Sequence, residues 1–194
     1  MNMFQERVYK MHLKPVPIFM VLILVSGCVS IGNPFLKIKP DYSTVPAEEL
    51  KAFAREIEQY VVDGEREPAF DTYPSIKADN EEIQQAIRMR AARSHLIQEL
   101  LNSGFAYEQK AGTIATIRTR EYKRATDRHK RDQDALVVIN ENANRWTLYE
   151  SLVKASHWQP GALGAVQDAF FEARRDLLAP GQKFQESDDS IVAK

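Results

Sequence analysis

The chain has little of what most catalytic sites require. One cysteine, Cys28, occurs in 194 residues, so no disulfide can close within the chain. His95, His129 and His157 lie far apart and lack metal-ligand spacing. There is no phosphate-cradling glycine loop, no dinucleotide fingerprint and no G-x-S-x-G elbow. Charge of one sign is not in surplus: 26 Lys and Arg against 27 Asp and Glu leave a formal charge of -1. That balance removes the global electrostatic argument for nucleic acid as a partner. The carboxylate pairs Glu48-Glu49 and Glu81-Glu82 stand at helix starts, where the helix dipole accounts for them. A glycosidase needs two carboxylates across a cleft, and only Glu108 stands out. The expectation is a protein that is not an enzyme and takes no cofactor or metal. A hydrophobic content of 44% and a charged content of 27% still describe a globular domain with a core.

No hydrophobic run is long enough for a membrane span either. Val16 to Val25 is apolar over about ten residues, too short for a bilayer core but the length of a signal-peptide core. It follows Lys14 and ends in Val25-Ser26-Gly27-Cys28, which resembles a bacterial lipobox. The resemblance implies a lipoprotein signal peptide over residues 1–27, cleavage before Cys28, and lipidation of Cys28 with acyl chains such as palmitate. Two or more acyl chains give stable membrane anchoring. Val29 stands where an Asp would retain the protein at the inner membrane, so the resemblance implies the periplasmic face of the outer membrane. Either Met1 or Met11 fits as the start. Residues 28–45, with Gly32, Pro34 and Pro40, read as the lipidated cysteine and an extended tether.

Helical periodicity dominates the remainder. Ser43 or Thr44 and Pro46 open a first helix with Leu50, Phe53, Ile57 and Val61 on one stripe, stopped by Gly64. Glu65 to Lys77 reads as a loop pinned by Phe70 and Tyr73. A second helix runs from about Asn80 to Ser103, with Ile83, Ile87, Ala91, Ile97 and Leu101 inward; Arg88, Arg90 and Arg93 read as a solvated basic face. Phe105 to Ile117 is a hinge whose β-branched end suits a short strand without an evident partner. Charge-rich Arg118 to Asp134 begins a long helix, supported by spacings such as Asp127 with Arg131. Pro160 opens the last helix, with Leu163, Val166, Phe170, Ala173 and Leu177 as its stripe. The expected fold is all-α: one domain over 46–185, of about four main helices, and a disordered tail over 186–194.

The stretch Glu141–Glu150 places Asn142, Arg145 and Tyr149 on one helix face, while Val138, Trp146 and Leu152 or Val153 form an apolar stripe expected to face a core. A buried polar face needs partners, and Glu108 is the carboxylate expected to meet Arg145. Glu108, Asn142, Arg145 and Tyr149 form the candidate site, open to two readings: a structural ion-pair network, or a ligand or partner site. A second candidate is a basic surface of Arg118, Arg120, Lys123, Arg124, Arg128, Lys130 and Arg131, suited to anionic lipid or an acidic partner.

Gly104-x-x-x-Glu108-x-x-x-Gly112, then Asn142-x-x-Arg145-x-x-x-Tyr149, then Pro180-Gly181-Gln182 resembles the YdbL-like family, a bacterial envelope domain. The similarity spans roughly Ile83 to Phe184. It implies an accessory or chaperone-like role in outer-membrane lipid homeostasis, beside AsmA-like proteins that bridge the two membranes. The chain departs from short family members by its lipobox and an added N-terminal region. The alternative expectation is a lipid- or small-ligand-binding lipoprotein that uses the Glu108/Arg145 region.

Overall fold

The computed structural model describes residues 42–67 and 73–194, all within one compact unit, Ile38–Lys194. The signal peptide, Cys28, most of the tether and Phe70 lie outside the described residues. Helix α1 spans Ala47–Asp63 behind Pro46; it buries Leu50, Phe53, Ile57 and Val61 and ends at Gly64, whose φ of 73° an L side chain rarely adopts. Helix α2 spans Glu81–Asn102. The Asn80 side chain caps it by accepting the backbone N–H groups of Glu82 and Ile83.

The charged segment is two helices, not the start of one. Helix α3 (Arg120–Ala125) ends at Thr126, which is extended, and the Asp127 carboxylate caps helix α4 (Arg128–Ala155) by accepting from the Lys130 N–H at 2.7 Å. Asp127 therefore serves as a cap rather than as the partner of Arg131, whose guanidinium donates to the Thr126 carbonyl. Helix α4 closes at His157 (φ 54°), where the N–H of Trp158 reaches back to the Val153 carbonyl. Helix α5 spans Ala162–Leu177.

The fold is not all-α. Four three-residue strands, β1 (Ala106–Glu108), β2 (Ile114–Thr116), β3 (Lys183–Gln185) and β4 (Ile191–Ala193), form a mixed sheet in the order β2-β1-β3-β4. The architecture is α/β, with helices in the majority. Strand β2 pairs antiparallel with β1 through a turn in which Gly112 takes φ 81°. Strand β1 pairs in parallel with β3, which follows it by some seventy-five residues. That separation hides the partner from local reading, and three residues are too few to show a period of two.

The tail is likewise part of the sheet. Strand β4 pairs antiparallel with β3, and Lys194 exchanges backbone hydrogen bonds with Gly181 and Gln182. The Lys194 ammonium also donates to the Arg175 carbonyl at 3.0 Å, which neutralises the last turn of α5. One apolar cluster joins α1, α2, α4 and α5 around Phe53, Ile57, Ile87, Leu148, Leu152 and Phe170. A second, around Ile97, Leu101, Ala106, Ile114 and Leu178, seats the sheet. Between them lies a layer of charge.

Candidate functional site

Three glutamates and three arginines close into a ring at the centre of the domain. The Arg90 guanidinium donates to both Glu58 oxygens (3.0 and 2.7 Å) and, through Nε, to Glu141 (2.8 Å). Glu141 accepts the Arg145 Nε at 2.8 Å. Arg145 then forks onto both oxygens of Glu108 (2.6 and 3.0 Å). Glu108 accepts the Arg174 Nε at 2.9 Å, and Arg174 Nη1 donates to Glu58 at 2.8 Å, which completes the circuit. The six residues come from α1, α2, β1, α4 and α5, and their formal charges cancel.

All six are buried. Desolvation alone would push the carboxyls up, but the guanidiniums outweigh it. Arg90 and Arg145 hold Glu141 down at about 2. Arg90 and Arg174 lower Glu58, and Arg145 and Arg174 lower Glu108. Burial works against the charged arginines as well, yet Glu58, Glu108 and Glu141 raise all three above their ordinary value. The ring is thus fully ionised and fully paired; among the described residues no buried side-chain nitrogen or oxygen lacks a partner. The cavity beside it measures about 30 Å³. That is room for a water molecule, not for an acyl chain or a metabolite.

The candidate residues divide between inner and outer roles. Glu108 and Arg145 are ring members. Tyr149 borders the ring: its hydroxyl donates to the Gly112 carbonyl (2.8 Å) and accepts from Arg174 (2.9 Å), and burial pushes its pKa up. Gly112 is in turn tightly enclosed, since a Cβ there would stand 3.1 Å from the Tyr149 ring. Asn142 does not reach the ring; its amide pairs with both backbone groups of Ile114 and ties β2 to α4.

Glu58, Arg90, Glu141 and Arg174 were not expected in the site. Arg90, read as part of a solvated face, is only 1% exposed. The signal was phase: Arg90 falls in step with the buried Ile83, Ile87 and Ile97, and Glu58 sits between Ile57 and Val61. The assignment of faces on α4 also needs correction. Arg145 and Tyr149 point inward with Leu152, while Trp146, expected to face a core, is 37% exposed.

The basic surface is smaller than its sequence suggests. Arg118, Arg120, Lys123, Arg124 and Arg128 are exposed. Lys130 is held by Glu99 (2.9 Å) and Asp134 (3.0 Å), and Arg131 by the Thr126 carbonyl. Among the described residues no helix is long and apolar enough to cross a membrane, and no group of three or more His, Cys, Asp or Glu side chains is placed to hold a metal ion. In comparison with known proteins, the chain matches no family model, no curated protein and no solved structure.

Proposed function

We propose that this protein is a non-enzymatic lipoprotein, anchored through Cys28 at the periplasmic face of the outer membrane, with an accessory or chaperone-like role in envelope lipid homeostasis. The observation that carries the non-enzymatic part is the closed ring. Every carboxylate in it is already neutralised by arginine, so none keeps a proton to donate. The accompanying cavity admits water only, which also speaks against the Glu108/Arg145 region as a lipid or small-ligand pocket. What remains for function is the outside of the domain. The lipobox supports the anchor, and the YdbL-like motifs support an AsmA-like bridging protein as partner.

Two of those motif residues, Glu108 and Arg145, act in this reading by holding β1, α4 and α5 together rather than by touching a partner. The test is cross-linking in intact envelopes followed by purification of the full chain. Wild type is compared with Cys28→Ala and with Arg124→Glu on the exposed surface. Labelled palmitate on wild type only, together with co-purification of a membrane-bridging protein, is the expected result. An unlabelled chain overturns the anchor, and recovery of lipid or a metabolite without a protein overturns the accessory role.

A further inference from the structure

Helix α3 turns its charge outward. Its one buried residue is Tyr122, whose ring packs on Phe105 with centroids 5.2 Å apart and whose hydroxyl donates to buried Asp134 at 2.9 Å. On a helix, Arg120, Lys123 and Arg124 fall within one arc of about 100°, centred opposite Tyr122. Arg118 precedes this face and Arg128 follows it, and all five cations are exposed. Among the described residues Arg118, Arg120, Lys123 and Arg124 have no hydrogen-bond or ion-pair partner. Arg128 has Asp132 at 3.8 Å, yet its side chain stays 92% exposed. The acids within the span are Glu121, on the flank of α3, and Asp127, whose carboxylate caps α4. The outward face of α3 holds no acid, so its positive charge is left uncompensated.

We propose that this basic end of the domain, Arg118 to Arg128, docks on anionic phospholipid headgroups. The make-up of the patch favours lipid over protein. From 118 to 129 the one exposed apolar side chain is Ala125. A protein interface needs a dehydrated apolar centre inside its polar rim, and this surface offers none. A lipid surface asks only for charge, and four of the five cations are arginines, whose guanidinium forks match phosphate oxygens.

The position of the patch in the domain leaves it free to dock. The first turn of α4 packs on the end of α2, where Lys130 meets Glu99 at 2.9 Å. The last turns of α4 pack on the start of α2, where Ser151 donates to Glu82 at 2.9 Å. The Lys77 N–H donates to the Ser156 hydroxyl and the Ser75 hydroxyl to Glu49, which brings the start of α1 to that same end. Tyr42 stands there, five residues before α1. The 28 residues of α4 set the two ends about 40 Å apart. A domain held from its N-terminal side therefore keeps the basic end clear. The inference rests neither on acylation of Cys28 nor on a bridging protein.

The experiment places the full chain in phosphatidylcholine nanodiscs and adds sucrose-loaded vesicles of equal parts phosphatidylglycerol and phosphatidylcholine. The protein pelleted with the vesicles is measured at rising salt. A chain that stays out of the nanodiscs is titrated directly, so the reading does not depend on the anchor. The wild type is expected to pellet with the anionic vesicles, less so as salt rises, and not with pure phosphatidylcholine vesicles. Arg120→Glu and Arg124→Glu should each lower the affinity roughly tenfold, and the two together should abolish binding. Gln at both positions, which removes charge without adding any, should fall between. Lys154→Glu, an exposed cation at the other end of α4, should leave binding unchanged. Both arginines are exposed and unpaired, so melting curves should match wild type. Absence of pelleting at low salt overturns the proposal, as does equal pelleting with neutral vesicles. So does binding that survives the double reversal, or that falls equally with Lys154→Glu. A chain that ignores the vesicles but is retained on polyglutamate overturns it in favour of an acidic protein.

Discussion

The two faces of α4 invert the usual arrangement of a surface helix. Its inner face carries Glu141 and Arg145 into the buried ring at the centre of the domain, and its outer face presents Leu136, Ile139 and Trp146. A helix that packs one face on a core normally does the reverse. The difference shows that burial here is governed by partnership rather than by polarity. Each inner charge meets opposite charges contributed by other elements, so its desolvation is offset. Among the described residues Leu136 and Ile139 stay largely exposed, and Trp146 keeps an edge contact with the Tyr149 ring.

The comparison breaks most sharply at the ring. Removing one member leaves an uncompensated buried charge, so Arg145→Ala should cost about 3–5 kcal/mol. In a marginally stable domain that is enough to abolish cooperative melting near ambient temperature, which thermal circular dichroism would show. Replacing Glu108 and Arg145 together by Leu and Met should recover much of the loss, because no lone charge of that pair is then left. Full additivity of the two single losses would show that the pair is not coupled.

Acid should act on the same face in a graded way. An exposed glutamate in the unfolded chain titrates near 4.5, whereas folded Glu141 titrates at about 2, and Glu58 and Glu108 are also lowered. The unfolded state therefore binds more protons over this range, and stability rises with pH. The contribution is complete above pH 5 and is lost as pH falls towards 2. Urea midpoints should hold between pH 6 and 5 and decline from pH 5 to 3. A flat profile would mean that the ring carboxyls are not held ionised.

A smaller effect is expected beside the ring. At Gly112, Ala must adopt φ 81° and place its methyl against Tyr149, so Gly112→Ala should cost about 1–3 kcal/mol. Tyr149→Phe in the same background separates ring crowding from loss of the hydroxyl. On the outer face, Leu136→Glu, at a position 60% exposed, should change stability by no more than about 0.5 kcal/mol. A large loss of melting temperature in that variant would mean that the outer face is part of the fold.

The helices were legible because each repeats its apolar residues over several turns: the stripes on α1, α2 and α5 and the Gly64 stop are where the periodicity places them. The sheet was not legible, because each strand has three residues and β3 finds its partner across most of the domain. The C-terminal residues read as a tail for a related reason: their polar composition is that of a loop, and only pairing with β3 makes them a strand.

Within the site, Glu108 and Arg145 could be paired from sequence because a polar group beside a buried face needs a partner, while Glu141, one turn before Arg145, was missed as the second. The sequence by itself thus determined four main helices, their inward apolar stripes and a buried ion pair, since these follow from local periodicity and from the cost of an unpaired charge. Only the tertiary structure decided that the pair belongs to a closed six-residue ring, that Arg90 lies inside it, and that Trp146 faces outward. Those outcomes depend on which side chains five separate elements bring within about 3 Å of one another, and hydrogen-bond geometry at that range is a property of the packed chain rather than of any segment.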